Sequence, residues 1–422
     1  MSTTRHRGSA PPMTQIELRG RAFHRRARTQ LALIALTQIL GLAVWFAATA
    51  IAPSLRQEWD LSAAAAVWLT ATVQVGFAIG AVTASVLALP DRLPAPLLMA
   101  VSALGVAVCT AAFAMLSTGL TTALPLRFLT GVLLAGIYPV GMKLTASWTR
   151  PFDRGRAFGI LIGSLTLGSA MPHLVSSFAG LPWRITMLVA SGMALLAALV
   201  TAFAVRSGPL LAATARARPR QMLDGFRARR PLLVNIGYLG HMWELYAFWT
   251  WLPVFLMAVN ADREIADVAP IVFTTVGLAG VVGCLLGGWA ADRYGRPTAA
   301  ASALFVSGLC AILSPLVFMV PQSVSAALLV VWGAAVIADS GVFSAALSET
   351  AESRYVGTAL TMQTAVGFLL TVVSIQLVPL AADHLGWRYA FWVLVPGPAL
   401  GVTAMMLLRR GSPPPATATA LS

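Results

Sequence analysis

Several ionisable side chains interrupt the long apolar stretches of this sequence, and they are its first candidates for chemistry. A charge at the middle of a bilayer costs at least about 2.5–3.5 kcal/mol, so a charge that is retained there usually has a function. Each such group is a candidate for binding a solute or a proton. The groups are Arg127, Lys143, His173, His241, Glu244 and Asp339.

Proton transfer is the chemistry that the carboxylates favour. Tyr238, His241 and Glu244 step by three residues, so on a helix they spread over roughly 120° of one face. A carboxylic acid in an apolar cavity stays neutral and can take up and release a proton near physiological pH. We therefore predict that Glu244, with His241 beside it, carries a coupling proton. The alternative is a buried, protonated Glu244 that only bonds a tyrosine.

Asp339 has two interpretations from sequence. It is either a second titrating site, or a gate residue that pairs with an arginine of segment 288–297. His241 and Glu244 have a spacing that also occurs in metal sites, but a single pair lacks the remaining ligands. We predict no metal site and no cofactor.

Other polar groups inside the apolar stretches are candidates for binding a solute. Arg127 and His173 are expected at similar depth, where Arg127 either faces an anionic group, forms a structural ion pair, or snorkels to the surface. His173 follows Pro172, so it can instead donate to carbonyl groups that the proline leaves without a partner. The further candidates, each of which could equally be a packing residue, are Tyr238, Gln38, Trp45, Gln74 and Gln363.

The elements that must position these groups are membrane helices. Of the 422 residues, 58% are hydrophobic and 10% are charged, whereas soluble domains average about 25% charged residues. A helix needs about 20 apolar residues to cross the hydrocarbon core. The sequence predicts an all-α membrane protein of twelve transmembrane helices, numbered here as spans 1 to 12: 31–53, 64–89, 95–117, 122–146, 157–180, 184–205, 232–258, 270–290, 298–319, 323–346, 357–381 and 388–408.

The basic residues orient the chain. The net charge is +14, and most of the 29 basic residues fall in the two tails and the even-numbered loops. By the positive-inside rule, both termini are predicted to be cytoplasmic, in a bacterial inner membrane. Attraction to anionic lipid explains the remaining surplus, and no basic soluble domain that would bind nucleic acid is apparent. Residues 1–27 are polar and are expected to be disordered.

The sequence divides into two similar halves. Asp91-Arg92 recurs as Asp292-Arg293, and Pro182-Trp183-Arg184 recurs as Gly386-Trp387-Arg388. Duplicated six-helix halves place a binding site between them, near the middle of the membrane. The predicted divisions are a basic cytoplasmic tail, an N-terminal half, a cytoplasmic linker, a C-terminal half and a second tail, at residues 1–30, 31–205, 206–231, 232–408 and 409–422.

Segment 288–297 resembles the signature loop of the major facilitator superfamily, Gly-x3-Asp-Arg-x-Gly-Arg followed by a basic residue, although Pro297 occupies that last position. Arg127-x3-Gly131 resembles the second motif of this family, and segment 240–246 resembles, more weakly, bacterial cyanate- and nitrate-like permeases. The resemblance implies a loop that latches the cytoplasmic side in the outward-facing state. The alternative is that its charges only follow the positive-inside rule. The implied gating residues are Asp91, Arg92, Gly288, Asp292, Arg293, Gly295, Arg296 and Glu349.

The same resemblance places spans 2, 5, 8 and 11 at the contact between the halves. Glycines spaced by four residues create smooth helix faces that allow close approach. Such faces occur in span 2 at Gly76 and Gly80, in span 5 from Gly155, and in span 8 at Gly280, Gly283 and Gly287. At the contact between the halves they would permit sliding, and the alternative is static packing.

These features predict a secondary transporter that moves a small solute by alternating access, coupled to protons, with small organic or inorganic anions as the favoured class. The alternative is efflux of drugs or amphiphiles, and the alternative of another class is a membrane-embedded enzyme or flippase. We favour a protein that is not an enzyme, because neither a phosphate-binding loop nor clustered catalytic groups occur. Its expected partners are the solute, protons and the lipid bilayer, and it is expected to be a monomer.

Overall fold

The computed structural model describes residues 15–150, 154–178, 181–210, 228–259, 265–351 and 356–410. These residues form helices and connecting turns, with no strand among them. Within this part of the chain, eleven helical segments are long and apolar enough to cross a membrane. Span 1 is the twelfth. A turn at residues 43–46 divides span 1 into shorter helices. The longest of them, Gln15–Leu42, begins with several basic residues that precede the apolar stretch.

Each half of the molecule contributes six spans. The helices of the N-terminal half are Gln15–Leu42, Ala47–Ala50 and Ala52–Glu58 (span 1 and its extension), Ala63–Val86 (span 2), the short helix Leu89–Arg92, Ala95–Leu116 (span 3), Leu120–Leu134 with Tyr138–Trp148 (span 4), Arg154–Ser176 (span 5) and Trp183–Phe203 (span 6). Those of the C-terminal half are Arg229–Val259 (span 7), Ile265–Val272 with the π-helical Phe273–Leu278 and Ala279–Tyr294 (span 8), Arg296–Leu313 with the 3₁₀ turn Ser314–Phe318 (span 9), Gln322–Ala338 with Ser340–Thr350 (span 10), Val356–Leu385 (span 11), and the 3₁₀ segment Trp387–Leu394 with Pro396–Arg410 (span 12).

The first helix begins earlier than the sequence predicts. Disorder was expected over residues 1–27, but the helix starts at Gln15. Its first turns are rich in Arg, Leu, Ala and Glu, which are good helix formers, and extending an existing helix costs far less than starting one. Residues 1–14, most of the predicted linker and the tail after Arg410 lie outside the described residues.

Spans 4 and 10 are broken at corresponding positions in the two halves. Span 4 is interrupted between Leu134 and Tyr138, and span 10 is interrupted at Asp339. Pro139 stands in the first turn after the break in span 4, where its missing N–H leaves no partner unsatisfied. The matching breaks support the duplication that the sequence motifs indicate, and they place irregular backbone at the centre of the bundle.

Gly76 and Gly80 of span 2, and Gly283 and Gly287 of span 8, pack within their own halves, so at these positions the contacts support static packing rather than a sliding contact between the halves. A methyl group on Gly76 would overlap the carbonyl of Phe128 in span 4, and one on Gly287 would overlap the carbonyl of Ala338 in span 10. The glycines of span 5 face the other half, where Gly159 lies opposite Cys284, and Gly280 of span 8 in turn meets Thr166 of span 5. The halves meet where span 2 packs along span 11 and span 5 packs along span 8.

Candidate functional site

A small cavity of about 70 Å³ lies between the two halves. We call it the central cavity. It is lined by residues from spans 4, 5, 7, 10 and 11, and Tyr138 and Ser340 reach it because each begins the helix that follows a break. No charged side chain of the described residues lines it. Its polar groups are hydroxyls, which can donate to or accept from a solute: Tyr138, Tyr238, Tyr246, Ser340, Ser344 and Thr364.

The central cavity continues towards one side of the bundle. We call this the tail side, because the first described helix begins there and the last one ends there. A larger cavity of about 420 Å³ lies on the tail side between the halves and shares Ile162 and Leu360 with the central cavity. Asp292, Arg296 and Glu349 line its outer part. Among the described residues, only Ile162 and Leu360 belong to both walls, so the larger cavity lies next to the central one on the tail side.

An aromatic cluster closes the opposite, far side of the central cavity. We call it the aromatic plug. Its rings come from both halves and are nearly all inaccessible to solvent, with ring centroids 4.4 Å apart between Phe77 and Phe368 and 5.0 Å apart between Tyr246 and Phe368. Among the described residues, a large cavity thus lies between the halves on the tail side, whereas packed aromatic rings fill the space on the far side. The plug comprises Trp45, Phe46, Phe77, Tyr246, Trp249 and Phe368.

Arg127 holds the break in span 1, on which one side of the plug is built. The turn at residues 43–46 leaves backbone carbonyls without helical partners. The guanidinium of Arg127 donates to the carbonyl oxygens of Val44 (3.2 Å) and Trp45 (2.9 Å), and also to that of Leu69 in span 2 (3.1 Å). Among the described residues, no carboxylate pairs with it, so of the interpretations from sequence neither the ion pair nor snorkelling applies.

Most of the predicted solute-binding residues bond within their own half rather than face the central cavity. Gln38 donates to the carbonyl of Ile137 at the break in span 4 (3.2 Å), and Gln363 donates to Asn235 (2.9 Å). Trp45 donates to Gln74 (3.3 Å). His173 is buried, and its Nδ1 has no partner among the described residues. Of this set, only Tyr238 lines the central cavity.

The predicted proton carriers form a buried cluster in the C-terminal half. The Nδ1 atom of His241 lies 2.8 Å from Oδ1 of Asp339, and only 1% of each side chain is exposed. Among the described residues the neighbour of Asp339 is therefore His241 and not an arginine of segment 288–297, which argues against the gate pairing, while a titrating role stays a prediction. Within the described residues, Nε2 of His241 and both carboxylate oxygens of Asp339 lack a hydrogen bond of good geometry. Asp339 directly precedes Ser340, which lines the central cavity.

Glu244 faces the interior of the C-terminal half. Trp332 donates its indole N–H to one carboxylate oxygen of Glu244 (2.8 Å), and the hydroxyl of Ser307 donates to the other (2.7 Å). The prediction that Tyr238, His241 and Glu244 share one face is therefore wrong in part. Tyr238 points into the central cavity, whereas Glu244 lies behind its wall, because its two partners come from spans 9 and 10.

The signature loop lies at the tail-side end of the contact between the halves. Gly295 has φ +84°, a conformation that favours glycine, and it turns the chain from span 8 into span 9. As expected, Arg296 binds Glu349, with its Nε 2.7 Å from Oε1, but both residues belong to the C-terminal half. Asp292 lies across the contact between the halves. Its Oδ1 atom is 3.7 Å from the place that a Cβ atom would occupy on Gly155 in span 5.

The remaining loop residues have few contacts. Gly288 has open space around its Cα, and Arg293 is exposed. The first-half copy forms the short helix Leu89–Arg92, in which Arg92 is exposed, and the side chain of Asp91 lies outside the described ones. Lys143 donates to the carbonyl of Pro90 (2.7 Å), so it anchors this helix to the end of span 4.

Sequence reasoning missed the partners that hold the site. Trp332 and Ser307 bond Glu244, and Tyr138 and Tyr246 line the central cavity. None of them is among the predicted site residues, although Tyr246 ends segment 240–246. The tyrosines had one usable signal, because a tyrosine hydroxyl inside an apolar span requires a polar neighbour. Trp332 and Ser307 had none, since both are ordinary residues of apolar helices.

Comparison with known proteins identifies the fold and the closest functional class. The sequence model of the Major Facilitator Superfamily matches residues 34–375 and 267–421. A niacin transporter of Acinetobacter baylyi is 26% identical over 66% of this chain and 69% of its own length. A gallate transporter of Pseudomonas putida is 28% identical over 62% of this chain, and the match spans 65% of its own length, slightly less than two thirds. A probable sulfoacetate transporter of Cupriavidus necator is 28% identical over 46% of this chain and half of its own length.

Solved structures show the same fold. A bacterial homologue of the human lysosomal transporter Spinster superimposes with a TM-score of 0.69 at 14% identity, covering 91% of this chain and 97% of that one. The nucleoside transporter NupG superimposes with a TM-score of 0.68 at 13% identity, covering 90% of this chain and 99% of that one. At this identity the likeness concerns the fold alone.

Proposed function

The chain belongs to the major facilitator superfamily, and we propose that it carries a small organic anion across the membrane by alternating access, coupled to protons. The observation that carries this proposal is the central cavity between the halves, with the buried His241–Asp339 pair directly behind its wall. The similar proteins are transporters of small solutes, which is the coarse class to which this chain belongs. The anion and the proton rest on the arguments below.

The lining of the central cavity suits a carboxylate, most of all one with an aromatic ring. Tyr138, Tyr238 and Tyr246 present hydroxyl groups that can donate to carboxylate oxygens. Phe368 and the tyrosine rings offer faces for stacking. The named solutes of the similar transporters, niacin, gallate and sulfoacetate, are all small acids, and the first two carry a ring.

The positive charge of Arg127 supports the binding of an anion by electrostatic attraction at a distance rather than by direct contact. Its guanidinium is buried, and its partners are three carbonyl oxygens with no carboxylate among the described residues. In a medium of low dielectric constant, a cation without a counterion favours negative charge nearby. Its carbonyl partners Val44 and Trp45 belong to the same turn as the aromatic plug, which borders the central cavity. A bound anion would therefore partly compensate this charge.

The His241–Asp339 pair supports the proton coupling. Neither residue has a full set of hydrogen bonds within the described structure, and an unpaired ion would be costly at this depth. A proton taken up by the pair neutralises the carboxylate, and its release restores the charge. Glu244 is the second carboxylate of the cluster. Uptake of one anion with one proton would move no net charge, which lowers the cost of passing the closed state.

The orientation is also a proposal. The basic residues favour a cytoplasmic tail side in a bacterial inner membrane. The open cavity would then face the cytoplasm. This orientation places Arg218, in the predicted linker, in the cytoplasm and Asp262, between spans 7 and 8, outside. In intact cells, a membrane-impermeant maleimide should then label a single cysteine at position 262 but not one at position 218, and labelling at position 218 alone would reverse the orientation.

Transport by reconstituted protein tests the function. Proteoliposomes are loaded with an aromatic carboxylate, an aliphatic sulfo- or hydroxycarboxylate, a neutral sugar or a cationic dye, with and without a pH gradient. We expect the carboxylates to be accumulated only with the gradient. Movement of the dye but not of the acids would support the alternative, drug efflux, for which the apolar part of the cavity around Met142 and Met242 is the argument.

A further inference from the structure

A second cavity lies apart from the transport path, on the outer surface of the N-terminal half. It has a volume of about 470 Å³ and lies among the start of span 1, the end of span 4 and the start of span 5. We call it the lateral groove. Span 5 turns its glycine face, with Gly155 and Gly159, towards span 8 of the other half. The groove is lined instead by Arg156 and Ile160, which are exposed on a different face of span 5. It therefore opens sideways, away from the central cavity.

One end of the lateral groove is strongly basic. Arg28 in span 1, Arg150 just after the helix that ends span 4, and Arg156 in span 5 line it. Within the described residues, none of the three has a hydrogen bond or an ion pair. Guanidinium groups bind phosphate oxygens in a forked geometry, which makes arginine the preferred residue for this group. Three arginines that line one groove and have no partner among the described residues suit a phosphate.

The other end of the groove is apolar. Leu31, Ala35 and Leu161 line it, together with Ile160. From Arg28 to Ala35 the helix rises by roughly 10 Å, at about 1.5 Å per residue. Arg28 precedes the apolar stretch that crosses the membrane, whereas Ala35 lies within it. The basic end thus lies at the level of lipid headgroups and the apolar end at the level of acyl chains.

Two further side chains mark the boundary between these ends. Thr145 is 2% exposed and lines the groove, and its hydroxyl has no hydrogen-bond partner among the described residues. A buried hydroxyl without a partner is costly, so a polar ligand at this place would complete it. Trp148 also lines the groove and donates its indole N–H to the carbonyl of Arg206 (2.8 Å). Tryptophan is typical of the membrane interface.

We propose that the lateral groove binds one anionic phospholipid, with its phosphate on Arg28, Arg150 and Arg156 and an acyl chain along Leu31 and Ile160. A soluble phosphate compound would satisfy the arginines but would leave the apolar end empty. A diffuse attraction of the basic surface to anionic lipid would not distinguish these arginines from others. The lipid is bound beside Gly155, the residue opposite Asp292, so it can also influence the contact between the halves.

Native mass spectrometry and thermal unfolding of the full-length protein test this proposal. The protein is titrated in detergent with phosphatidylglycerol, phosphatidylcholine or glycerol 3-phosphate. We expect one phosphatidylglycerol to bind in preference to phosphatidylcholine and to raise the melting temperature, and glycerol 3-phosphate to have no such effect. Equal stabilisation by glycerol 3-phosphate would assign the groove to a soluble phosphate and overturn the lipid.

Matched variants separate the groove from general surface charge. Arg28→Gln with Arg156→Gln removes two charges inside the groove, whereas Arg25→Gln with Arg26→Gln removes two exposed charges from the same tail-side region outside it. Each arginine near a membrane surface contributes about 1 kcal/mol towards an anionic lipid, or about fivefold in affinity. We expect affinity to fall roughly 25-fold in the first variant and little in the second. Equal losses in both variants would overturn a specific site, and melting temperatures in phosphatidylcholine alone show whether each variant is folded.

Discussion

The Nδ1 atom of His241 lies 2.8 Å from Oδ1 of Asp339, with both side chains sealed from solvent in the C-terminal half. His241 comes from span 7, and Asp339 is the residue at which span 10 breaks. Because Ser340, the next residue, lines the central cavity, any rearrangement of this break moves the carboxylate and the cavity wall together. In the mechanism that we propose, the pair would link a titratable group to the cavity that binds the solute.

The first prediction concerns this pair. Asp339→Asn keeps the shape of the side chain but cannot lose a proton. We expect gradient-driven accumulation to fall to the equilibrium level, while exchange of solute across the membrane continues. Both are measured in proteoliposomes, with and without a pH gradient. Asp383→Asn is the matched control, because Asp383 is an exposed carboxylate at the end of span 11. Accumulation by Asp339→Asn at the wild-type level would remove Asp339 from the coupling mechanism.

Glu244 gives the second prediction. In Glu244→Gln, the amide oxygen can still accept from Trp332 while the amide N–H₂ donates to Ser307, whose hydroxyl only has to turn. This variant should therefore fold and exchange solute, and should lose proton-driven accumulation if Glu244 belongs to the relay as we propose. Glu244→Ala leaves the Trp332 N–H unpartnered at a cost of about 1–3 kcal/mol, and should lower the melting temperature.

The comparison of the two variants is decisive for Glu244. Full accumulation in a folded Glu244→Gln would leave the proton to the His241–Asp339 pair alone. Glu244 would then be a packing residue held by two donors. A Glu244→Ala variant as stable as wild type would contradict the hydrogen bonds described for Trp332 and Ser307.

The limits of sequence reasoning show most clearly at these residues. The spacing of apolar residues, the distribution of charges and the repeated motifs predict the twelve spans, the two halves and the Arg296–Glu349 pair. Each of these depends on local composition or on residues at helix ends that lie close together. They place Glu244 on the same face as Tyr238, which is wrong in part. A helical face of about 120° is wide enough to touch both a cavity and a neighbouring helix, and only the packed bundle shows which neighbour each residue meets.

Arg127 illustrates the same limit in the other direction. An arginine inside an apolar span predicts a partner of negative charge, but the partners are carbonyl oxygens exposed by the turn at residues 43–46. The sequence of residues 43–46 does not predict that turn, because these residues are apolar and include neither proline nor glycine. The turn arises from tertiary packing, with the rings of Trp45 and Phe46 buried against the other half.

The third prediction follows for Arg127. Arg127→Met removes three charge-assisted hydrogen bonds to buried carbonyl groups, each worth about 1.5–3 kcal/mol. We expect the unfolding free energy to fall by at least about 3 kcal/mol, which is the value of only two of the three bonds at the lower end of this range. The unfolding free energy of Arg127→Lys should lie between those of wild type and Arg127→Met, because a single ammonium group cannot make all the hydrogen bonds of the forked guanidinium. Arg184→Met, which breaks an exposed ion pair with Glu58, is the control and should cost less than about 1 kcal/mol. A smaller effect for Arg127→Met than for the control would refute the structural role.

The fourth prediction concerns the contact of Asp292 with span 5. A carboxylate near the N-terminal end of a helix is worth about 0.3–1 kcal/mol, so Asp292→Asn should shift the balance between conformations by roughly two- to fivefold. Cys284 lines the tail-side cavity and can report this shift through its rate of alkylation, in a background with Cys109→Ser and Cys310→Ser. An unchanged rate would mean that Asp292 does not gate.

The last prediction separates the two tasks of Tyr246. Its ring belongs to the aromatic plug, with centroids 5.8 Å from Phe46 and 5.0 Å from Phe368, and it also lines the central cavity. Tyr246→Phe keeps the ring and removes the hydroxyl. If that hydroxyl donates to the solute, KM should rise about two- to tenfold, the equivalent of a hydrogen bond of 0.5–1.5 kcal/mol, while the far side stays closed.

Tyr246→Ala removes the ring from the plug, and we expect solute to leak through the protein without a pH gradient. Efflux from preloaded proteoliposomes measures the leak, and Leu245→Ala, a change in a neighbouring cavity residue outside the plug, is the control. A tight barrier in Tyr246→Ala would show that the remaining rings close the far side without it, and an unchanged KM in Tyr246→Phe would take its hydroxyl out of solute binding.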